Sequence, residues 1–112
     1  MYDRIFVAQD EDPITPGFAG VAIRVLVGNL QNSSTVVLTT MEAGARIPAH
    51  RHSLADEFVY VVAGDFIEDG KTYGPGTAFW CKAASIHGPH ESTAGCKLIT
   101  YFSAPLDFDV AG

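Results

Sequence analysis

Positive charge is scarce in this chain of 112 residues, with seven lysines and arginines against thirteen aspartates and glutamates and a formal charge of −6. No basic patch interleaved with aromatics appears, which argues against nucleic acid and anionic membranes as partners, since both need a positive face. Cysteine is almost missing. Cys81 and Cys96 are too few for a disulfide framework, and each sits among apolar and aromatic residues, in AFWCK and AGCKLITYF. Both read as reduced thiols packed as small hydrophobes. No apolar run reaches transmembrane length, and the opening MYDRIFVAQDEDP lacks the apolar stretch of a secretory leader. A cytoplasmic location is therefore expected. Helical periodicity is lacking too, because no window keeps apolar residues at helical spacing for three turns.

What remains is the composition of an ordered, turn-rich globular chain, 47% hydrophobic with eleven glycines and six prolines. Its length suits one domain, residues 1–112, with a single core. Short segments rich in Val, Ile, Thr, Phe and Tyr recur about every ten residues: RIFVA, GVAIRVLVG, STVVLTTME, EFVYVVAG, TYGPGTAFWC and CKLITYFS. The expected fold is all-β, a small sandwich or barrel of antiparallel strands. NLQNSS and EDGK are expected as hairpin turns, the second with Asp69-Gly70 at its tip. The segment from Ile14 to Phe18, with Pro13 and Pro16, should form a loop, and the tail APLDFDVAG should be irregular.

The stretch GARIPAHRHSLADEFVYVVAG holds two of the chain's four histidines. Residues two apart on a strand share a face, so His50 and His52 project together while Arg51 points away. After the polar turn SLAD, Glu57 heads an apolar run where an unpartnered carboxylate is costly to bury. A third imidazole can come from His87 or His90, in SIHGPHES. Two or three neutral imidazoles with one carboxylate suit a divalent transition metal: Fe(II), Mn(II), Ni(II), Cu(II) or Zn(II). No thiolate cluster favours a closed structural zinc site.

The spacing Gly44, His50-x-His52, Glu57, Gly64 resembles the first motif of the cupin superfamily at every position. The second motif matches in part: Gly76 and His87 stand where expected, while Lys82, Ala84 and Glu91 replace the usual proline, glycine and asparagine. The resemblance covers roughly residues 35–104. It implies a jelly-roll β-barrel (a double-stranded β-helix) holding one metal by His50, His52, Glu57 and His87, and a homodimer. His90 would then stand behind the ligands or at the surface.

Two branches look similar. One is the acetylacetone-cleaving and dihydroxyacetophenone dioxygenases, suggested by IHG and the terminal YFSAPLDFD. In that branch three histidines hold the iron and the glutamate can stand back. The other is the cupin domain of zinc-dependent anti-sigma factors, a longer likeness that runs from HRHSLADEF to HGPHESTAGCKL. The helical sigma-binding region of that branch has no counterpart in these residues, which turns the expectation toward small-molecule chemistry.

The leading reading is a mononuclear non-haem dioxygenase, with Fe(II) favoured, acting on a small enolisable or phenolic substrate. Glu57 would serve as ligand or as the base that moves a substrate proton. A metal-containing sensor without turnover is the second reading. A sugar isomerase or epimerase is less favoured, for want of a phosphate-binding basic cluster. By strand parity Val59 and Val61 are candidate pocket walls, and Phe58 and Tyr60 face outward, toward another strand or a partner subunit. Phe79 and Cys81 share one face, Ala78 and Trp80 the other. Phe102 and Tyr101 are expected in the core, and Arg46 and Arg51 in solvent.

Overall fold

The computed structural model describes residues 1–111. Eleven strands follow a short 3-10 turn at Ala8–Asp10: β1 (Val21–Gly28), β2 (Thr35–Met41), β3 (Arg46–Ile47), β4 (His50–Arg51), β5 (Glu57–Gly64), β6 (Phe66–Glu68), β7 (Lys71–Tyr73), β8 (Ala78–Cys81), β9 (His90–Glu91), β10 (Cys96–Phe102) and β11 (Asp109–Val110). They form a five-stranded sheet in the order β1-β2-β10-β5-β8, a four-stranded sheet β3-β9-β6-β7 and the pair β11-β4. Every pairing is antiparallel. The fold is the all-β jelly roll that the sequence leads one to expect. Among the described residues no helix is long and apolar enough to cross a membrane.

Alternation decides what lies inside. On β2 the buried residues are Thr35, Val37, Thr39 and Met41; on β5 they are Glu57, Val59 and Val61; on β10 they are Cys96, Leu98, Thr100 and Phe102. The register sets Val59 opposite Thr100 and Glu57 opposite Phe102, so these faces pack into one interior with Phe66 from the smaller sheet. The outward residues Phe58 and Tyr60 are exposed as expected, and so is Tyr101. The core placement expected of Tyr101 is thus corrected: it neighbours the buried Phe102, and strand parity sends it outward.

Two glycines of the first motif have separate causes. Gly44 turns with φ +80° in open space, whereas a Cβ on Gly64 would lie 2.0 Å from the Gly95 carbonyl oxygen. Gly64 faces Cys96 across the ladder, and only a residue without a side chain lets the two strands approach that closely.

Three segments depart from expectation. RIFVA is not a strand: Ile5 and Val7 are exposed, and the edge of β1 is met instead by Ile14, which bridges Ile23. TYGPGTAFWC divides into β7 and β8, which belong to different sheets, because Gly74-Pro75-Gly76 turns the chain with Gly76 at φ 90°. The tail is not wholly irregular, since β11 pairs Asp109 with Arg51 and Val110 with His50; Gly112 lies outside the described residues. The two expected hairpins form, joining β1 to β2 and β6 to β7. Residues 14–18 remain a loop apart from the Ile14 bridge.

Candidate metal centre

His50 lies on β4 and His52 directly follows it, both buried, while the intervening Arg51 is exposed. The turn after them is pinned from two sides. Asp107 Oδ1 accepts from the Ser53 N–H at 2.8 Å, and Asp56 Oδ1 accepts from the Ala83 N–H at 2.9 Å. That reversal delivers Glu57 to the inner face of β5. His87 arrives through backbone pairing: the amides of His50 and His87 each donate to the other's carbonyl at 2.9 Å. The turn before His87 forms without the usual glycine, with Ala84 at φ 68° and its N–H bonded to the His52 carbonyl at 2.7 Å.

The four side chains expected to converge do so. His50 Nε2 lies 2.9 Å from His87 Nε2, Glu57 Oε2 lies 3.2 Å from His87 Nε2, and Glu57 Oε1 lies 3.7 Å from His52 Nε2. Ligand atoms of His52, Glu57 and His87 all fall within 4.8 Å of one another.

The protonation pattern explains why such a cluster suits a cation. His50 Nδ1 donates to the Pro48 carbonyl at 2.7 Å, and His52 Nδ1 donates to the Asp107 carbonyl at 2.5 Å. Each bond fixes the tautomer and leaves Nε2 as a lone pair. His52 Nε2 is buried without a hydrogen-bond partner, in a place where an uncompensated polar atom is costly.

His87 Nδ1 meets Cys81 Sγ at 3.1 Å. Sulfur can donate or accept there, so this imidazole is free to follow whatever its Nε2 meets. Burial lowers the pKa of His50 to about 4 against the opposing Pro48 bond, and that of His87 to about 3 with help from the neighbouring imidazoles. His52 is lowered by burial as well. Glu57 is pushed up to about 8, by burial and then by the Glu68 carboxylate. Neutral imidazoles and a carboxyl that burial alone would keep protonated are the state that a divalent ion converts into a ligand set. The residues fit such an ion.

An apolar cavity of about 210 Å³ opens onto His50, His52 and Glu57, lined also by Val59, Leu98 and Phe102, while His87 faces a second cavity. Val59 is a wall residue as expected. Val61 is fully buried in the core behind it and does not line the cavity. Phe79 and Cys81 face inward on β8, next to this second cavity of about 270 Å³, which shares Glu57 with the first. Cys81 therefore contacts an imidazole rather than acting as mere packing, while Cys96 is simply buried.

Several contributors escape a reading of the motif. His90 is buried, not at the surface, and its Nδ1 contacts a Glu68 carboxylate oxygen. Glu68 Oε1 also accepts from the Gly88 N–H at 2.6 Å. Phe108 stacks on His50 with ring centroids 4.3 Å apart. For Glu68 the sequence did carry a signal, since it shares strand parity with the apolar Phe66. For Asp107 and Phe108 it carried none.

An all-β double-stranded jelly roll that gathers histidines and a glutamate inside its barrel defines a cupin. The ChrR cupin-like domain family matches residues 3–106, and the chain belongs to that family. No curated protein matches the chain. Among solved structures, an RmlC-like cupin from Shewanella frigidimarina is similar at 24% identity and TM-score 0.78, over 92% of each chain. The polyketide cyclase RemF from Streptomyces resistomycificus aligns at 17% identity and TM-score 0.80, over 100% of this chain and 87% of its own. An acetylacetone dioxygenase from Acinetobacter johnsonii aligns at 17% identity and TM-score 0.75, over 96% of this chain and 78% of its own. At these identities the likeness is one of fold.

Proposed function

We propose that the protein is a mononuclear metal-dependent dioxygenase acting on a small enolisable or phenolic compound, with His50, His52, Glu57 and His87 as the residues that hold the metal. The observation that carries this reading is the buried, unpartnered His52 Nε2 facing Glu57 on the wall of an apolar cavity. The acetylacetone dioxygenase among the fold neighbours supports the choice of chemistry. A divalent ion there supplies Lewis acidity toward a chelating oxygen ligand, and iron adds one-electron chemistry with O₂.

The chain's own residues do the rest. Val59, Leu98 and Phe102 exclude water and hold a flat, apolar ligand. Thr39 and Thr100 supply the hydroxyl groups of the lining. Glu57, on the cavity wall beside two imidazoles, takes the acidic proton of an enolisable ligand onto a carboxylate oxygen.

Anaerobic reconstitution with Fe(II), followed by O₂ uptake with a panel of β-diketones and catechols, tests the activity. Consumption with one compound class supports it; metal uptake without O₂ consumption by any compound rejects it in favour of a metal-containing sensor. That second reading is supported by the ChrR cupin-like family match. His52→Ala is expected to lower metal occupancy at least about tenfold with the thermal midpoint of the ion-free chain retained. Unchanged occupancy by elemental analysis would remove His52 from the ligand set.

We propose as well that two copies pair through the outer face of the five-stranded sheet. In a chain of net charge −6, that face presents Phe58, Tyr60, Val62, Trp80 and Tyr101, all exposed. Its register places Phe58 between Trp80 and Tyr101, making one continuous apolar row of the kind that marks interaction surfaces.

A further inference from the structure

The histidines form two overlapping groups. Besides His52, Glu57 and His87, the ring nitrogens of His50, His87 and His90 lie within 4.8 Å of one another. His90 reaches this place from β9, which pairs with β6 so that His90 stands opposite Glu68. Its ring lies parallel to that of His87, 17° between planes and 5.2 Å between centroids, and 5.1 Å from that of His50. His90 also lines both cavities that meet at the centre.

The decisive pattern is at the other ring nitrogen. Nδ1 of each of the four imidazoles faces a polar partner: His50 the Pro48 carbonyl, His52 the Asp107 carbonyl, His87 the Cys81 sulfur, and His90 a Glu68 carboxylate oxygen in charge contact. A donor bond from Nδ1 to a carbonyl or carboxylate aims Nε2 as a lone pair and raises its basicity, which is how proteins orient metal-binding imidazoles. Among the four, only His90 has a carboxylate beside Nδ1, the acceptor that gains most from an N–H proton. Glu68 is itself anchored by the Gly88 N–H and so cannot swing away without losing that bond.

We propose that His90, oriented by Glu68, is a fourth imidazole ligand of the metal. This deepens the functional reading above and rests on it. The consequence falls on Glu57: with four imidazoles on the ion, its carboxylate can leave the ligand set named above and serve as the proton acceptor.

The chain has only four histidines, so counting coordinated imidazoles needs no assignment. The full chain, purified with a histidine-free tag, is loaded with Cu(II), and pulsed EPR counts the coordinated rings through their remote nitrogens. Four rings in the wild type and three in His90→Ala are expected. Glu68→Gln, which keeps His90 and the shape of the pocket, should alter the remote-nitrogen coupling of one ring and weaken Cu(II) binding about tenfold. Three or fewer rings in the wild type overturn the proposal and leave the metal centre standing. A wild-type chain that takes up no Cu(II) overturns both. If His90→Ala fails to fold, the wild-type count and Glu68→Gln still decide.

Discussion

Ala84 shows how a departure from a motif is absorbed. Its φ of 68° is left-handed, a region where a Cβ crowds the following carbonyl at roughly 1–2 kcal/mol. The chain accepts this because the Ala84 N–H bonds the His52 carbonyl at 2.7 Å and the turn must deliver His87. Glycine there would relieve the strain while losing about 0.5–1 kcal/mol to its greater freedom in the unfolded chain. Ala84→Gly is therefore expected to raise the thermal midpoint by roughly 3 °C in calorimetry; an unchanged or lower midpoint would show that the turn is unstrained. At this scale the first motif was legible, because His50 and His52 sit two apart and Glu57 heads an apolar run. His90 and Glu68 were harder to read, since their meeting depends on β9 pairing with β6 across more than twenty residues of sequence.

Among the elements, the corner between β5 and β6 illustrates how loops are tied to the site. Asp65 Oδ1 accepts from the Ala94 N–H at 2.8 Å and the Ser92 hydroxyl at 3.0 Å, and Oδ2 accepts from the Thr93 N–H at 2.8 Å. One side chain thereby holds the loop that follows His90. The amides of Ala94 and Thr93, outweighing a little desolvation, keep this carboxyl below its ordinary value of 3.8. A carboxylate with a lowered folded-state pKa stabilises the fold above its unfolded value, and that contribution is lost as pH falls through the folded one. Asp65→Asn should lower the thermal midpoint at neutral pH, and its deficit relative to wild type should shrink between about pH 5 and pH 3. A deficit independent of pH would mean that the carboxylate charge is not what holds the loop. Strand identity was legible for five of six apolar segments in whole or part, because alternation encodes a half-buried strand. RIFVA has the right residue types, but strand propensity only describes fit to a pleated, half-buried surface, and no such surface receives it.

For the whole molecule, the pairing proposed through the outer face of the five-stranded sheet is open to test at Trp80. Trp80, 59% exposed, stands beside Phe58 at the end of the apolar row. A charge there has to be desolvated in any packed interface, at a cost of several kcal/mol. Light scattering should therefore give twice the chain mass of 12.0 kDa for the wild type and the chain mass for Trp80→Glu. A monomeric wild type would remove this face as an interface.

The sequence by itself determined the fold class and the first three candidate site residues. Period-two alternation and the spacing of histidine and glutamate are local, and any chain with them must present the same face. Only the tertiary structure decided that His90 also comes near His50 and His87, that Cys81 and Glu68 stand behind imidazoles, and that the tail reaches the site through Asp107 and Phe108. Those contacts join strands far apart in the chain, and nothing in a local pattern states which strands will pair.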